Sequence, residues 1–373
     1  MKKNITKKLL FFLPIFSVLF LATLCPGSSH AFDYEYEDDF IAAFGGRGIG
    51  KSKFNFPVDV VVDSDENVYV LDQGNNRVQK FDKQGHYILA WGRKGARDSE
   101  FNKPSSLYID NDDKIHVVDS LNHRIQIFNT DGQFLNSIGT LGARRERYNT
   151  PNNIGIDRHK NIYVVDTKNN RIQMYDKNWM YKKEWGKVGP RAERITAPSS
   201  INFVKYKFGY MYLTSFNNCD VIRYKLLNTD YDDRFTLKPV DVDEDVVDEE
   251  DVAEEEVADE NVAEDEEVAE DEDVAEDEDV AEDEDVAEDE DNSEESSCGI
   301  KRLAVLDYSP DDYLLVIFEG YDSVFVYDYE GNYVDALTEG EFKFDNPTSV
   351  YVKGKYIYVV DGGNNFVHKF ERR

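Results

Sequence analysis

Three clusters of an acid, an amide and a guanidinium stand at identical offsets in this chain: Asp72, Asn75 and Arg77; Asp119, Asn122 and Arg124; Asp166, Asn169 and Arg171. Each lies in a stretch such as "YVLDQGNNRVQKFD", and the copies begin at Tyr69, His116 and Tyr163, 47 positions apart. Such a trio could form a repeated ligand site. It also suits a tight turn, with Asp at a strand end and an Asn that tolerates positive φ. The Arg that opens the next strand would then bind the carboxylate in a fork. Every copy of a fold needs its turn, whereas one ligand does not need three copies of its site. The trio therefore reads as scaffold, and Asp361 and Asn364 repeat part of it near the C-terminus.

Other chemical signals are weak. "GGRGIGKS", Gly45–Ser52, matches the phosphate-loop pattern letter for letter. A working phosphate loop needs a strand before it and a helix after it. Here "KFNFPVDVVVD" follows, which predicts a strand. Beyond the first 31 residues the histidines are His86, His116, His123, His159 and His368, which read as surface or turn residues. No glycine-framed nucleophilic Ser and no paired Cys ligand motif appears. "DSDEN" and "DNDDK" are rich in oxygen ligands but lack the spacing of a known Ca²⁺ loop. The expectation is a non-enzymatic protein without a bound cofactor.

The elements around these residues repeat too. In the first copy "VDVVVD", "NVYVLD", "RVQKFD" and "YILAWG" read as four successive strands, β-branched and aromatic, punctuated by Asp, Asn and Gly. The residue closing the second strand recurs as Asp72, Asp119, Asp166, Thr214, Phe318 and Asp361, which makes six copies. Repeats of this length signal a propeller or a solenoid, and four antiparallel strands per unit make a propeller blade. The last copy stops after its third strand, and "FIAAFGG" near the N-terminus supplies the missing outer one. The expected fold is all-β, a six-bladed propeller closed by an N-terminal strand.

The pattern Pro-x-x-apolar-x-apolar-Asp, a Tyr/Val strand, then Asp-x-x-Asn-x-Arg-apolar-Gln-x-Phe resembles the NHL repeat. The resemblance is strong in the first three units, fair in the sixth and weak in the fourth and fifth. It implies a six-bladed propeller, in a family whose members are mostly binding scaffolds. Related propellers include metal-dependent lyases and hydrolases.

Residues 1–31 combine a basic start, an apolar core and a small-x-small site, the signature of a secretory signal peptide. Leu24 before Cys25 departs from the small residue a lipidation site wants. Export follows, to a periplasmic, secreted or cell-surface location, with no membrane span in the mature chain. Residues 32–228 hold blades one to four and the closing strand, and residues 298–373 hold blades five and six. Residues 229–297 read as a disordered insertion. Of the 76 acidic residues, 35 fall between Asp241 and Glu295, with no base among them. Like charges at that density form no packed core, although they could gather Ca²⁺ weakly and diffusely. Cys219 and Cys298 flank the insertion. Export permits a bridge between them, and two free thiols are the alternative.

Function is then sought where copies differ. The loops joining one blade to the next carry Arg47, Lys51 and Lys53; Arg93, Lys94 and Arg97; Arg144, Arg145 and Arg147; and Arg191 and Arg194. The opposite face receives acidic loops such as "DSDEN". A basic rim would attract an anionic partner through its summed field. Just inside it, Asp59, Ser106, Asn153, Ser200 and Ser349 follow the repeated prolines as candidate channel-mouth residues. The expected role is a binding scaffold for a protein or an anionic glycan, with nucleic acid not expected. Two alternatives stand beside it: a metal-dependent propeller enzyme, and a surface protein that associates with calcium or mineral through the acidic segment.

Overall fold

The computed structural model describes residues 38–186, 195–203, 210–216, 219–225, 230–239, 299–306, 313–337 and 343–372. Contacts divide the chain into residues 1–36 and 37–373, and all that follows concerns the second unit. The signal-peptide reading and the acidic repeat lie outside the described residues.

Six antiparallel sheets of four strands make up the fold. In blade 1 the order is β2 (Pro57–Val62), β3 (Val68–Asp72), β4 (Arg77–Phe81) and β5 (Tyr87–Trp91). The inner strands β2 and β3 are buried along their whole length, while β5 alternates between half-buried and exposed. That gradient explains the sequence. A strand covered on both faces by neighbouring blades reads as a β-branched run, and an outer strand shows period two.

Blades 2 to 6 repeat this plan. Their inner strands are β6 (Ser106–Ile109), β10 (Pro151–Ile156), β14 (Pro198–Phe203), β18 (Ile300–Leu306) and β22 (Pro347–Lys353). Each inner strand contacts the next, and β22 returns to β2, so the ring closes. The hydrophobic core is divided among the blade interfaces. One cluster joins Val61, Leu71 and Val78 of blade 1 to Phe101, Leu107 and Val117 of blade 2. Another joins Val60 and Val70 to Tyr358, Val360 and Val367 of blade 6.

Closure follows the expected route. β1 (Asp38–Gly45) pairs antiparallel with β24 (Phe366–Arg372), with Ala43 opposite His368 and Gly45 opposite Phe366. An N-terminal strand thus completes the C-terminal blade and covers the edge of β24, which would otherwise be bare.

Two sequence readings change. Residues 229–297 are not wholly insertion: β17 (Asp230–Thr236) is the outer strand of blade 4, paired with β16 (Asp220–Lys225). Its acidic residues hid its strand character. The positive φ falls one place beyond the expected Asn, on Asn76 (φ 51), His123 (φ 57) and Asn170 (φ 50). The residues before it, Gln73–Asn75, Ser120–Asn122 and Thr167–Asn169, form a single 3-10 turn in each blade.

Candidate functional site

The repeated trio proves to be a clamp on the loop arriving from the preceding blade. Asp72, Asp119 and Asp166 are fully buried. One carboxylate oxygen accepts a loop N–H, from Asn55 at 2.8 Å, Asn102 at 2.7 Å and Asn149 at 2.7 Å. In blade 1 the other oxygen accepts from Asn75 Nδ2 and Arg77 Nε, both at 2.8 Å. Burial pushes the Asp72 and Asp166 carboxyls up, and these hydrogen bonds act against it. The Arg does not fork onto the carboxylate. Its terminal nitrogens instead bind loop carbonyls: Ile49, Gly50 and Lys53 for Arg77; Arg97 and Glu100 for Arg124; Arg144 and Arg147 for Arg171. Gln79, Gln126 and Gln173 add donors to the same loops. The rigid guanidinium presents five donors, enough for one carboxylate and several carbonyls together.

Each clamped loop also inserts an aromatic ring. Phe54, Phe101 and Tyr148 are fully buried, and each pairs in a short bridge with Arg47, Lys94 and Leu141 respectively. Gly92 and Gly139 precede two of these loops with φ of 98° and 100°, and a Cβ on either would strike the ring. With their carbonyls turned inward, the loops hold their bases outward: Arg47, Lys51, Lys53, Arg93, Lys94, Arg97, Arg144, Arg145 and Arg147 are all exposed. Arg93 pairs with Glu100 at 2.8 Å, and Arg145 stacks on the Tyr181 ring. Arg191 and Arg194 lie outside the described residues. The so-called phosphate loop is the first of these connections, running into β2 with no helix.

Asp59, Ser106, Asn153, Ser200 and Ser349 occupy one equivalent position of the inner strands, and all are buried. Strand register adds a sixth member that the sequence reading missed, Arg302 on β18, aligned opposite Ile317 as Asp59 is opposite Leu71. Blade 5 lacks the proline and the Asp-Asn-Arg markers, so only its pairing reveals the position. Ser106 Oγ and Leu107 N donate to Asp59 Oδ2 at 2.8 Å, Ser349 Oγ donates to Oδ1 at 2.7 Å, and Asn153 Nδ2 donates to Ser106 Oγ at 3.1 Å. Arg302 reaches across blade 6 to Asp59 Oδ2 at 2.8 Å.

This layer is a floor and not an open mouth. Above it lies a cavity of about 1070 Å³, lined by the inner strands and by the loops that follow them. No described rim base lines it. The loops at its opening are mixed in charge, because Arg158, Lys160 and Lys353 stand among Asp110, Asp112 and Asp113. An acidic opposite face is therefore not what these loops make.

The Asp side chains of "DSDEN" and "DNDDK" serve their own turns. Asp63 Oδ1 accepts from the Asp65 and Asn67 N–H groups, and Asp110 Oδ1 from those of Asp112 and Lys114. Among the described residues, no group of three or more His, Cys, Asp and Glu is placed to hold a metal ion. His116 and His368 are buried, unlike the surface positions expected of them. His116 Nε2 lies 3.1 Å from Asp110 Oδ2 on the cavity wall. Burial would raise the Asp110 carboxyl, but the bonds from His116 and the Lys114 N–H outweigh it and hold it below its ordinary range. Cys219 is buried and disulfide-bonded, and Cys298 lies outside the described residues.

These features define the class: the protein is a six-bladed β-propeller. A family model described as a 6-bladed beta-propeller matches residues 110–232, and the model of the NHL repeat matches residues 54–81, within blade 1 and the loop that enters it. Among solved structures, a Bacteroides thetaiotaomicron protein of unknown function superposes with a TM-score of 0.53 at 12% identity, over 89% of this chain and 76% of that one. A gluconolactonase from Xanthomonas campestris gives 0.52 at 9%, over 87% and 88%. Virginiamycin B lyase from Staphylococcus aureus gives 0.50 at 11%, over 85% and 95%. At such identities the likeness is one of fold. No curated protein matches in sequence.

Proposed function

We propose that the protein is an exported binding scaffold that holds an anionic polysaccharide on the rim of its inter-blade loops. The observation carrying this reading is the clamped geometry of three successive loops with nine exposed bases. The acids described beside them are Asp98, Glu100 and Glu146, and Glu100 is engaged by Arg93. Fixed loops lose little freedom on binding, which favours association. Their common sign raises the local concentration of an anion.

The test is retention on a heparin-like resin. The full chain should elute at higher salt than a variant carrying Arg144→Ala, Arg145→Ala and Arg147→Ala. Equal elution would assign these residues to ordinary solvated surface. A protein partner with an acidic face would show itself by capture on the rim with no retention on the resin. The lyase and lactonase activities belong to fold neighbours of about 10% identity and supply no residue to this chain.

A further inference from the structure

We infer that the central cavity is a second binding site, for a small organic acid with an apolar body, and that Arg302 is its anchor. This inference is independent of the rim, which lies on the other face.

Arg302 is 8% exposed and lines the cavity. Its Nε is buried with no partner among the described residues. Its one ion-pair partner there, Asp59, is already well supplied: two backbone N–H groups and two hydroxyls donate to that carboxylate. Asp59 therefore does not need the guanidinium to remain hydrogen-bonded, and it occupies only one edge of it. A guanidinium at the bottom of a cavity, with a donor unmet, is arranged for a carboxylate, whose two oxygens match its planar fork.

The walls fit the rest of such a molecule. One step up each inner strand, two residues on and so on the same side, the layer above the floor reads Val61, Tyr108, Gly155, Asn202, Ala304 and Tyr351. Ala304, a small side chain, stands directly above Arg302, whereas the place a side chain would take at Gly155, above Asn153, is filled by the Phe203 ring of the next blade, itself part of the cavity wall. Tyr108 and Tyr351 bring aromatic surface elsewhere in the same layer. The volume suits a ligand of drug size. Charge points to a monoanion: the described lining residues comprise six Lys and Arg against five Asp. One carboxylate would balance that excess, whereas a neutral amide, with a single acceptor oxygen and no charge, would neither balance it nor match both positions of the fork.

The probe is 4-phenylbutyrate, with 4-phenylbutyramide as its uncharged counterpart. Binding to the full chain is followed by calorimetry and by the fluorescence of Trp179, which lines the cavity. The acid should bind saturably and raise the melting temperature, the amide should bind at least about tenfold more weakly, and Arg302→Gln should lose about tenfold in affinity. The Arg144, Arg145 and Arg147 replacements should change nothing here. If Arg302→Gln fails to fold, Ala304→Leu, which fills the space above the guanidinium, should produce the same loss. No saturable binding up to about 10 mM, equal binding of acid and amide, or wild-type affinity in the folded Arg302 or Ala304 variant would overturn the assignment.

Discussion

The side-chain oxygen of Asn365 accepts a hydrogen bond from the backbone N–H of Phe56 at 2.7 Å, across 309 positions of sequence. The same bond recurs between neighbouring blades, from Lys103 to Asn76, Thr150 to His123 and Ala197 to Asn170, each 27 positions apart. A local linkage is thus reused to fasten the two ends of the chain.

Closure should be the weak point of the ring. Deleting residues 32–46 removes β1 and bares the edge of β24. Such an edge templates association, so the truncated protein should aggregate or melt far below full length. Size-exclusion chromatography with a thermal melt checks this, and a monomeric, unchanged melt would refute the zipper.

The clamp can be graded by burial. The Arg171 side chain is 2% exposed and that of Arg77 is 16% exposed, while both partner carboxylates are fully buried. Arg171→Ala leaves Asp166 buried without its cation, a loss of about 3–5 kcal/mol in urea unfolding. Arg77→Ala should cost less, because water can reach the site. Equal losses would show that burial does not set the strength of the clamp.

His123 should make the second-to-third blade contact sensitive to pH. Its Nδ1 accepts the Thr150 N–H at 3.0 Å, which only the neutral ring can do. Burial, then the charge of Lys168, lowers its pKa from the ordinary 6.5, against the pull of Asp166 and Asp119. The neutral form is therefore favoured by folding. Its contribution is present above the unfolded value and is lost as pH falls through the lower folded one. Asn stands at this position in blades 1, 3 and 6, so His123→Asn keeps the acceptor and removes the titration. Melting temperatures between about pH 7 and pH 5 should fall less in the variant than in the wild type. Parallel curves would count against the role.

The acidic segment joins the same face as the basic loops. Its described ends follow β17 and precede β18, where Leu237 N donates to Cys219 O at 2.9 Å and Glu319 N donates to Gly299 O at 2.7 Å. Deleting residues 241–295 removes 35 negative charges. Retention on a heparin-like resin at low salt should then rise, and the rim replacements at Arg144, Arg145 and Arg147 should reverse the gain. A deletion without effect would place the work of the segment elsewhere. Screening limits the contact, because exposed charges beyond about 8 Å interact weakly at physiological salt.

Much of the fold was legible because each blade needs the same turn. Asp72, Asp119 and Asp166 mark equivalent strand ends, and the odd outer strand at the N-terminus announced its own partner. Blade 5 was harder to read, since Phe318 replaces the Asp and Gly299 and Ile300 stand where other blades have a residue and a proline. Packing on both faces maintains that blade without the markers, as Leu314, Val316 and Phe318 fill the interface with blade 4.

By itself, then, the sequence determined the blade: its four strands, its turn and the count of copies, because local hydrogen bonding and apolar periodicity are written within some 47 residues. Tertiary structure alone decided what the ring encloses. Arg302 and Asp59 are 243 positions apart and share no motif, yet equivalent registers on two inner strands bring their charges to 2.8 Å. A cavity floor is a sum over blades, and no single repeat contains enough of it to be read.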